Sequence, residues 1–276
     1  MNLVQAIILG IVEGLTEFLP VSSTGHITIT SKIMGLQIDD PSVTAFTAVI
    51  QIGAIVAVIF YFWKDIVRLF MAWVRGLRHA EARESPDYKL AWIVIFGSVP
   101  IGIVGFAFRH VIEGPLRSLW VVAIALIAWS FVLLFGDAVG RQRRFEEDMT
   151  YKDGIILGLA QCLALVPGVS RSGATISTGL ILGIDRVTAT RLSFLLGLPA
   201  LIGAGLFTLP EAIKPGGVGA LPTLVGTVVS FFVAYASIAW LLKFVQSNKF
   251  TAFVLYRILL GIAVIVLLST GVLTAT

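Results

Sequence analysis

The chain has 276 residues, 57% of them hydrophobic and only 13% charged, where a soluble domain carries roughly a quarter charged. With a mean hydropathy of +0.96, this composition excludes a soluble enzyme and a disordered chain, and the long apolar runs point to membrane helices rather than a β-barrel. The net charge of +4 does not call for a nucleic-acid partner, because membrane proteins concentrate Lys and Arg in their cytoplasmic loops.

Taken in chain order, the first apolar region, 2–34, is interrupted by Pro, Gly, Ser and charge and reads as two short helices around a polar break. It lacks a basic leader and carries Glu13 and Glu17 where a signal sequence is apolar, so we expect it to be retained. Apolar stretches long enough to span a bilayer follow near 43–63, 90–108 and 118–136. A second interrupted region, 153–184, precedes three more spans near 191–210, 220–242 and 251–272. The single cysteine, Cys162, excludes an internal disulfide and a cysteine-rich metal site. Trp63, Trp73, Trp92 and Trp120 read as interfacial anchors. His79 and His110 read as loop residues, and Arg141 to Asp148 as a solvated loop. Arg257, in the last span, is expected to snorkel to the cytoplasmic face.

The two interrupted regions match when the first is shifted by 148 positions. Ile7, Ile8, Leu9 and Gly10 fall on Ile155, Ile156, Leu157 and Gly158. Val21, Ser22 and Gly25 fall on Val169, Ser170 and Gly173, and Thr30, Ile33, Gly35 and Phe46 on Thr178, Ile181, Gly183 and Phe194. An odd number of spans separates the regions, so the second repeat is inverted relative to the first. The expected fold is an all-α polytopic membrane domain over 1–276, with six transmembrane helices and two re-entrant helical hairpins in an inverted-topology repeat. Repeat 1 covers about 1–136 with its hairpin at 2–34, and repeat 2 about 150–276 with its hairpin at 153–184. Such repeats converge on a site near the bilayer midplane. Fourteen Lys and Arg fall on one side of this arrangement and four (Lys32, Arg109, Arg117 and Lys214) on the other. The positive-inside rule therefore puts both termini outside.

The breaks carry the chemistry. The first, EGLTEFLPVSSTGH at 13–26, places Glu13 and Glu17 four residues apart on one helix face. Ser22, Ser23, Thr24 and His26 follow Pro20. Ionisable groups at membrane depth are costly and point to function. The second break, PGVSRSGAT at 167–175, offers Gly168 and Gly173 for a sharp turn, hydroxyls at Ser170, Ser172 and Thr175, and the planar fork of Arg171. A helix opening on such a loop forms an anion nest. The halves are unequal: Glu13 aligns with Gln161, Ser23 with Arg171 and His26 with Ala174. An anion between them meets an acid–base side and a binding side, which suits phosphate-ester or anhydride hydrolysis. Gln51, in a polar step of the first span, is a candidate cavity residue.

These two motifs, with FxxxIQxG at Phe46 to Gly53 and DMTYKDG at 148–154, closely resemble the undecaprenyl-diphosphate phosphatases of the bacitracin-resistance type, over nearly the whole chain. The resemblance implies removal of the terminal phosphate of a long isoprenoid diphosphate, which recycles the carrier lipid of cell-wall synthesis. It implies an active site of Glu13, Glu17, Ser23, His26 and Arg171, opening to the periplasmic side of the bacterial inner membrane. The His that follows the SR dipeptide in phosphatidic-acid-phosphatase-type enzymes is missing after Arg171, so their phosphohistidine scheme does not transfer. We expect Ser23 to be the nucleophile, beside His26 as its base or as the acid for the leaving group, with water attack as the alternative. Arg171 and the loop Ser170 to Gly173 would hold the diphosphate, together with Ser22, Thr24, Gly168, Thr175 and Gln51. Two carboxylates beside a diphosphate repel it, which leads us to expect Mg²⁺ or Ca²⁺ held by Glu13 and Glu17. The partners expected are the lipid diphosphate, the bilayer and a second copy of the chain in a homodimer. The rival class is an inverted-repeat transporter or flippase for a lipid phosphate, which would use the same fold without a nucleophile.

Overall fold

The computed structural model describes residues 1–37, 40–113, 116, 118–212 and 218–275. Among them it has twelve α-helices and no strand. Six helices are long and apolar enough to cross a bilayer: α3 (Pro41–Tyr61), α5 (Pro86–Ala107), α7 (Leu119–Val139), α10 (Arg186–Ala212), α11 (Ala220–Phe244) and α12 (Thr251–Ser269). They fall where hydropathy places the six spans. Their starts follow capping chemistry: Asp40 and Ser85 cap helices whose first residue is proline, and Ser118 caps α7. Arg117 and Lys214, counted in the charge tally, lie outside the described residues.

Between these helices sit two short pairs, α1 (Leu3–Thr16) with α2 (Ser23–Ile33) and α8 (Tyr151–Leu163) with α9 (Arg171–Ile181). At 1.5 Å per residue none exceeds about 21 Å, short of the roughly 30 Å of hydrocarbon a span must cross. Each pair folds back on itself. Gln5, in the first turn of α1, donates to the carbonyl of Met34 just past α2. Arg144 joins Asp153 in the first turn of α8 to the Leu182 carbonyl that ends α9. Burial pushes the Asp153 carboxyl up, and the hydrogen bonds from Arg144 and Thr150 outweigh that and hold it below its usual range.

The two pairs are built alike, in the register read from the sequence. Asn2 and Gln5 form a capping box on α1, and Thr150 and Asp153 form one on α8. Ser22 and Ser170 both take a left-handed backbone, φ 76° and 77°, and both cap the helix that follows through the N–H of Gly25 or Gly173. Partners match as well: α1 packs on α11 as α8 packs on α5. A Cβ added at Gly10 would meet the backbone of Gly226, and one at Gly158 that of Gly97. Both short helices therefore lie backbone to backbone on a long one.

Residues 63–78, a charged interval between the first two spans, form a sixteen-residue helix, α4 (Trp63–Arg78), followed by a 3-10 turn at Ala80–Glu84. Of the four tryptophans expected as anchors, Trp63 and Trp120 are exposed, whereas Trp73 and Trp92 pack edge to face against each other, and Trp92 stacks on Phe96.

Candidate active site

The breaks between α1 and α2 and between α8 and α9 interlock. The Ser22 hydroxyl oxygen, besides capping α2, accepts from the N–H of Gly168 at 3.1 Å. The Ser172 hydroxyl donates to the Leu19 carbonyl at 2.9 Å. Backbone that leaves a helix at membrane depth must find partners within the protein. Arg257 supplies them. Its guanidinium donates to the carbonyls of Pro20 (2.8 Å), Gly168 (2.9 Å) and Val169 (3.1 Å) and to the Ser130 hydroxyl (3.1 Å). It is fully buried. This corrects the expectation of a snorkelling side chain: Arg257 turns inward because the two breaks leave carbonyls that need a multi-armed donor.

Below that clamp the polar groups converge. One carboxylate oxygen of Glu17 accepts from the Ser23 hydroxyl at 2.5 Å, and the other from the Arg171 guanidinium at 3.2 Å. Glu17 and Arg171 are both largely buried. Arg171 also donates to the carbonyl of Ser193 on α10 at 3.2 Å. Its Nη1 end abuts Gly197, one turn further along, where an added Cβ would collide with the guanidinium. Acid and hydroxyl from the first break and cation from the second thus form one continuous chain. They open on a cavity of about 200 Å³, lined on its polar side by Glu17, Ser22, Ser23, Thr24, Gln51, Ser170 and Arg171 and on its apolar side by Ile101, Leu165 and Leu201. Two helix N-termini meet there. With Gly25 and Gly173 occupied by the serine caps, the remaining first-turn N–H groups at Ser23, Thr24, Arg171 and Ser172 have no intrahelical acceptor. Free N–H groups at a helix N-terminus favour an anion.

Other expected site residues lie apart from this wall. Ser172, Gly173 and Thr175 are buried and bonded internally: Ser172 to Leu19, Gly173 to the cap, Thr175 to the Arg171 carbonyl. Gly168 shapes the break, with φ 102° and no room for a side chain against Val122. Glu13 is buried, and its Oε1 has no partner among the described residues. His26 differs most from expectation. Its Nδ1 meets the Ser22 carbonyl at 2.7 Å and its Nε2 the Tyr256 hydroxyl at 2.6 Å. A carbonyl only accepts, so Nδ1 carries the proton and Nε2 accepts from Tyr256. The hydroxyl of Ser23 is therefore served by Glu17 and not by His26. Ser23 begins α2 and faces back across the break, while His26, three residues on, faces α12. Gly197, Ser193 and Tyr256 went unrecognised in the sequence because each is an ordinary residue of an apolar span. For Arg257 there was a signal, an ionisable group deep in a membrane helix.

These features define a helical membrane protein with an acid–hydroxyl–arginine centre set between its spans and shaped for an anion. Comparison with known proteins narrows the class. Residues 6–263 match the model of the bacitracin resistance protein BacA family. The chain is 58% identical over 274 residues to undecaprenyl-diphosphatase 1 of Streptomyces avermitilis, covering 99% of each. It is 55% identical over 284 residues to an undecaprenyl-diphosphatase of Cutibacterium acnes, covering all of both. The chain belongs to the BacA family.

Proposed function

We propose that this protein hydrolyses undecaprenyl diphosphate to undecaprenyl phosphate and inorganic phosphate in the bacterial cytoplasmic membrane. The observation that carries this reading is the Ser23–Glu17–Arg171 chain, assembled from both breaks on one cavity with an apolar wall. In this reading the isoprenoid tail lies along Ile101, Leu165 and Leu201. Arg171 and the N–H groups opening α2 and α9 hold the diphosphate and stabilise the charge that grows on the transferred phosphoryl. Glu17 takes the Ser23 proton as Oγ attacks the terminal phosphorus. The bridging P–O bond breaks, and the lipid phosphate leaves with the electron pair. Glu17 gives that proton to the departing lipid phosphate, then deprotonates the water that attacks the phosphoserine, and returns this second proton to Ser23 Oγ as inorganic phosphate leaves.

In this reading a divalent cation would be held through Glu13, whose buried Oε1 has no partner among the described residues, with Glu17 one turn away and already engaged at both oxygens. When bound it would neutralise charge on the diphosphate, as expected for an ion that uses one or two carboxylates and substrate oxygens. His26, fixed in one tautomer by Ser22 and Tyr256, positions the first turn of α2 in this scheme.

The two short-helix pairs act as re-entrant hairpins of an inverted repeat. Their lengths, their closed ends and the matched packing of α1 on α11 and α8 on α5 support this. The Lys and Arg bias supports termini on the periplasmic side. Ile101 and Leu201 belong to the halves of α5 and α10 towards that side, which favours a cavity opening there.

The test is Ser23→Ala in purified protein. Turnover of the lipid diphosphate should fall by at least about 10²-fold, the scale of one lost acid–base or nucleophilic partner, with substrate binding retained. Near-normal turnover would remove Ser23 as nucleophile and leave Glu17 as the base for direct attack by water.

A further inference from the structure

Helix α4 has no role in the site, yet its surface is the most ordered pattern on the exterior. Its residues fall into three stripes at helical spacing. Phe62, just before it, with Ile66, Leu69, Trp73 and Gly76, faces the protein. One position on, Trp63, Val67, Phe70 and Leu77 are apolar and exposed. One further, Lys64, Arg68, Arg75 and Arg78 form a basic row. The helix starts directly where α3 ends and leads into α5 through one short turn. It therefore sits at the depth where two spans leave the bilayer. A helix with an exposed apolar stripe beside a basic one lies in the membrane interface.

Beside the basic row is a cavity of about 290 Å³ between α4 and the start of α5, lined by Arg68, Met71, Arg75, Ser85 and Asp87. Arg68 is neutralised there by Asp65, Asp87 and Glu146. Arg75 is exposed and has no ion pair or side-chain hydrogen bond among the described residues. The Ser85 hydroxyl oxygen caps α5, which leaves its proton to donate.

We propose that this cavity binds the phosphodiester headgroup of an anionic phospholipid. Arg75 and Ser85 donate to the phosphate, and the acyl chains run over Met71, exposed one turn from Arg75, to Val67 at the near edge of the apolar stripe. The apolar stripe selects a lipid over a free anion, and the unpaired Arg75 selects an anionic lipid over a zwitterionic one. The site is separate from the proposed catalytic cavity, and it is read out by lipid retention.

Full-length protein in detergent is titrated with phosphatidylglycerol or phosphatidylcholine of identical acyl chains, and bound lipids are counted by native mass spectrometry. Wild type should retain phosphatidylglycerol preferentially. Arg75→Gln, a substitution at an exposed position, should lower that preference about five-fold, the equivalent of one basic residue at an anionic surface. Its phosphate release should stay at the wild-type rate. Equal retention of the two lipids by wild type, or an unchanged preference in Arg75→Gln, would overturn the proposal. So would displacement of the lipid by millimolar inorganic phosphate, which would make the ligand a free anion.

Discussion

Arg171→Ala should lower turnover of an isoprenoid diphosphate by about 10³-fold or more, the scale of losing an arginine that stabilises a transferred phosphoryl. The side chain is held at three points: Glu17, the Ser193 carbonyl and the face of Gly197. Lysine would keep the charge but cannot span Glu17 and Ser193 with one ammonium, so Arg171→Lys should recover little. Gly197→Ala tests the same contact from the other side. Its methyl would occupy the space of the guanidinium, and displacing Arg171 by about 1 Å should cost roughly 10²-fold in rate. Steady-state kinetics on monodisperse protein would show the loss mainly in kcat. Wild-type rates for Gly197→Ala would mean that Arg171 works from a different position.

Arg257→Ala should be the most damaging change to the fold. It strands the buried carbonyls of Pro20, Gly168 and Val169 without their donor. At roughly 1–3 kcal/mol for each stranded group the loss is about 3 kcal/mol or more. Because the carbonyls belong to both breaks, the two halves of the site should lose their register, and turnover should fall with stability. Arg257→Lys reaches one or two of these oxygens and should be intermediate in melting temperature. A melting temperature within a degree or two of wild type for Arg257→Ala would contradict the clamp.

Most of the architecture was legible because bilayer thickness imposes its length on any span, so hydropathy alone located α3, α5, α7, α10, α11 and α12. Both breaks were legible because Pro20 and the Pro167–Gly168 pair interrupt a helix and serine favours the cap that restarts one, and the shared register of Ser22 and Ser170 reappears as one left-handed backbone geometry. Helix α4 was legible in principle. The spacing of Trp63, Val67, Phe70 and Leu77 is helical, but the charge between them keeps the segment below the hydropathy that marks a span. What the sequence could not disclose were pairings across distant elements. The i, i+3 spacing of Ser23 and His26 favoured a local pair, whereas Glu17 reaches Ser23 across a break and Tyr256 reaches His26 from the last helix. The partners of Arg257 are backbone carbonyls, which leave no trace in residue identity. Gly197 matters for the side chain it makes room for, and that side chain lies on another helix.

The most direct measurement is phosphate release from a fifteen- or fifty-five-carbon isoprenoid diphosphate by the purified protein in detergent, with divalent cation and with chelator. Transport has no meaning in a micelle, so release there reports chemistry alone. Continuous release of one phosphate per lipid, abolished by the chelator, is the result expected of the Glu17–Ser23–Arg171 centre. Folded protein that binds the lipid diphosphate and releases no phosphate with any divalent cation would contradict the account and make the same cavity that of a carrier.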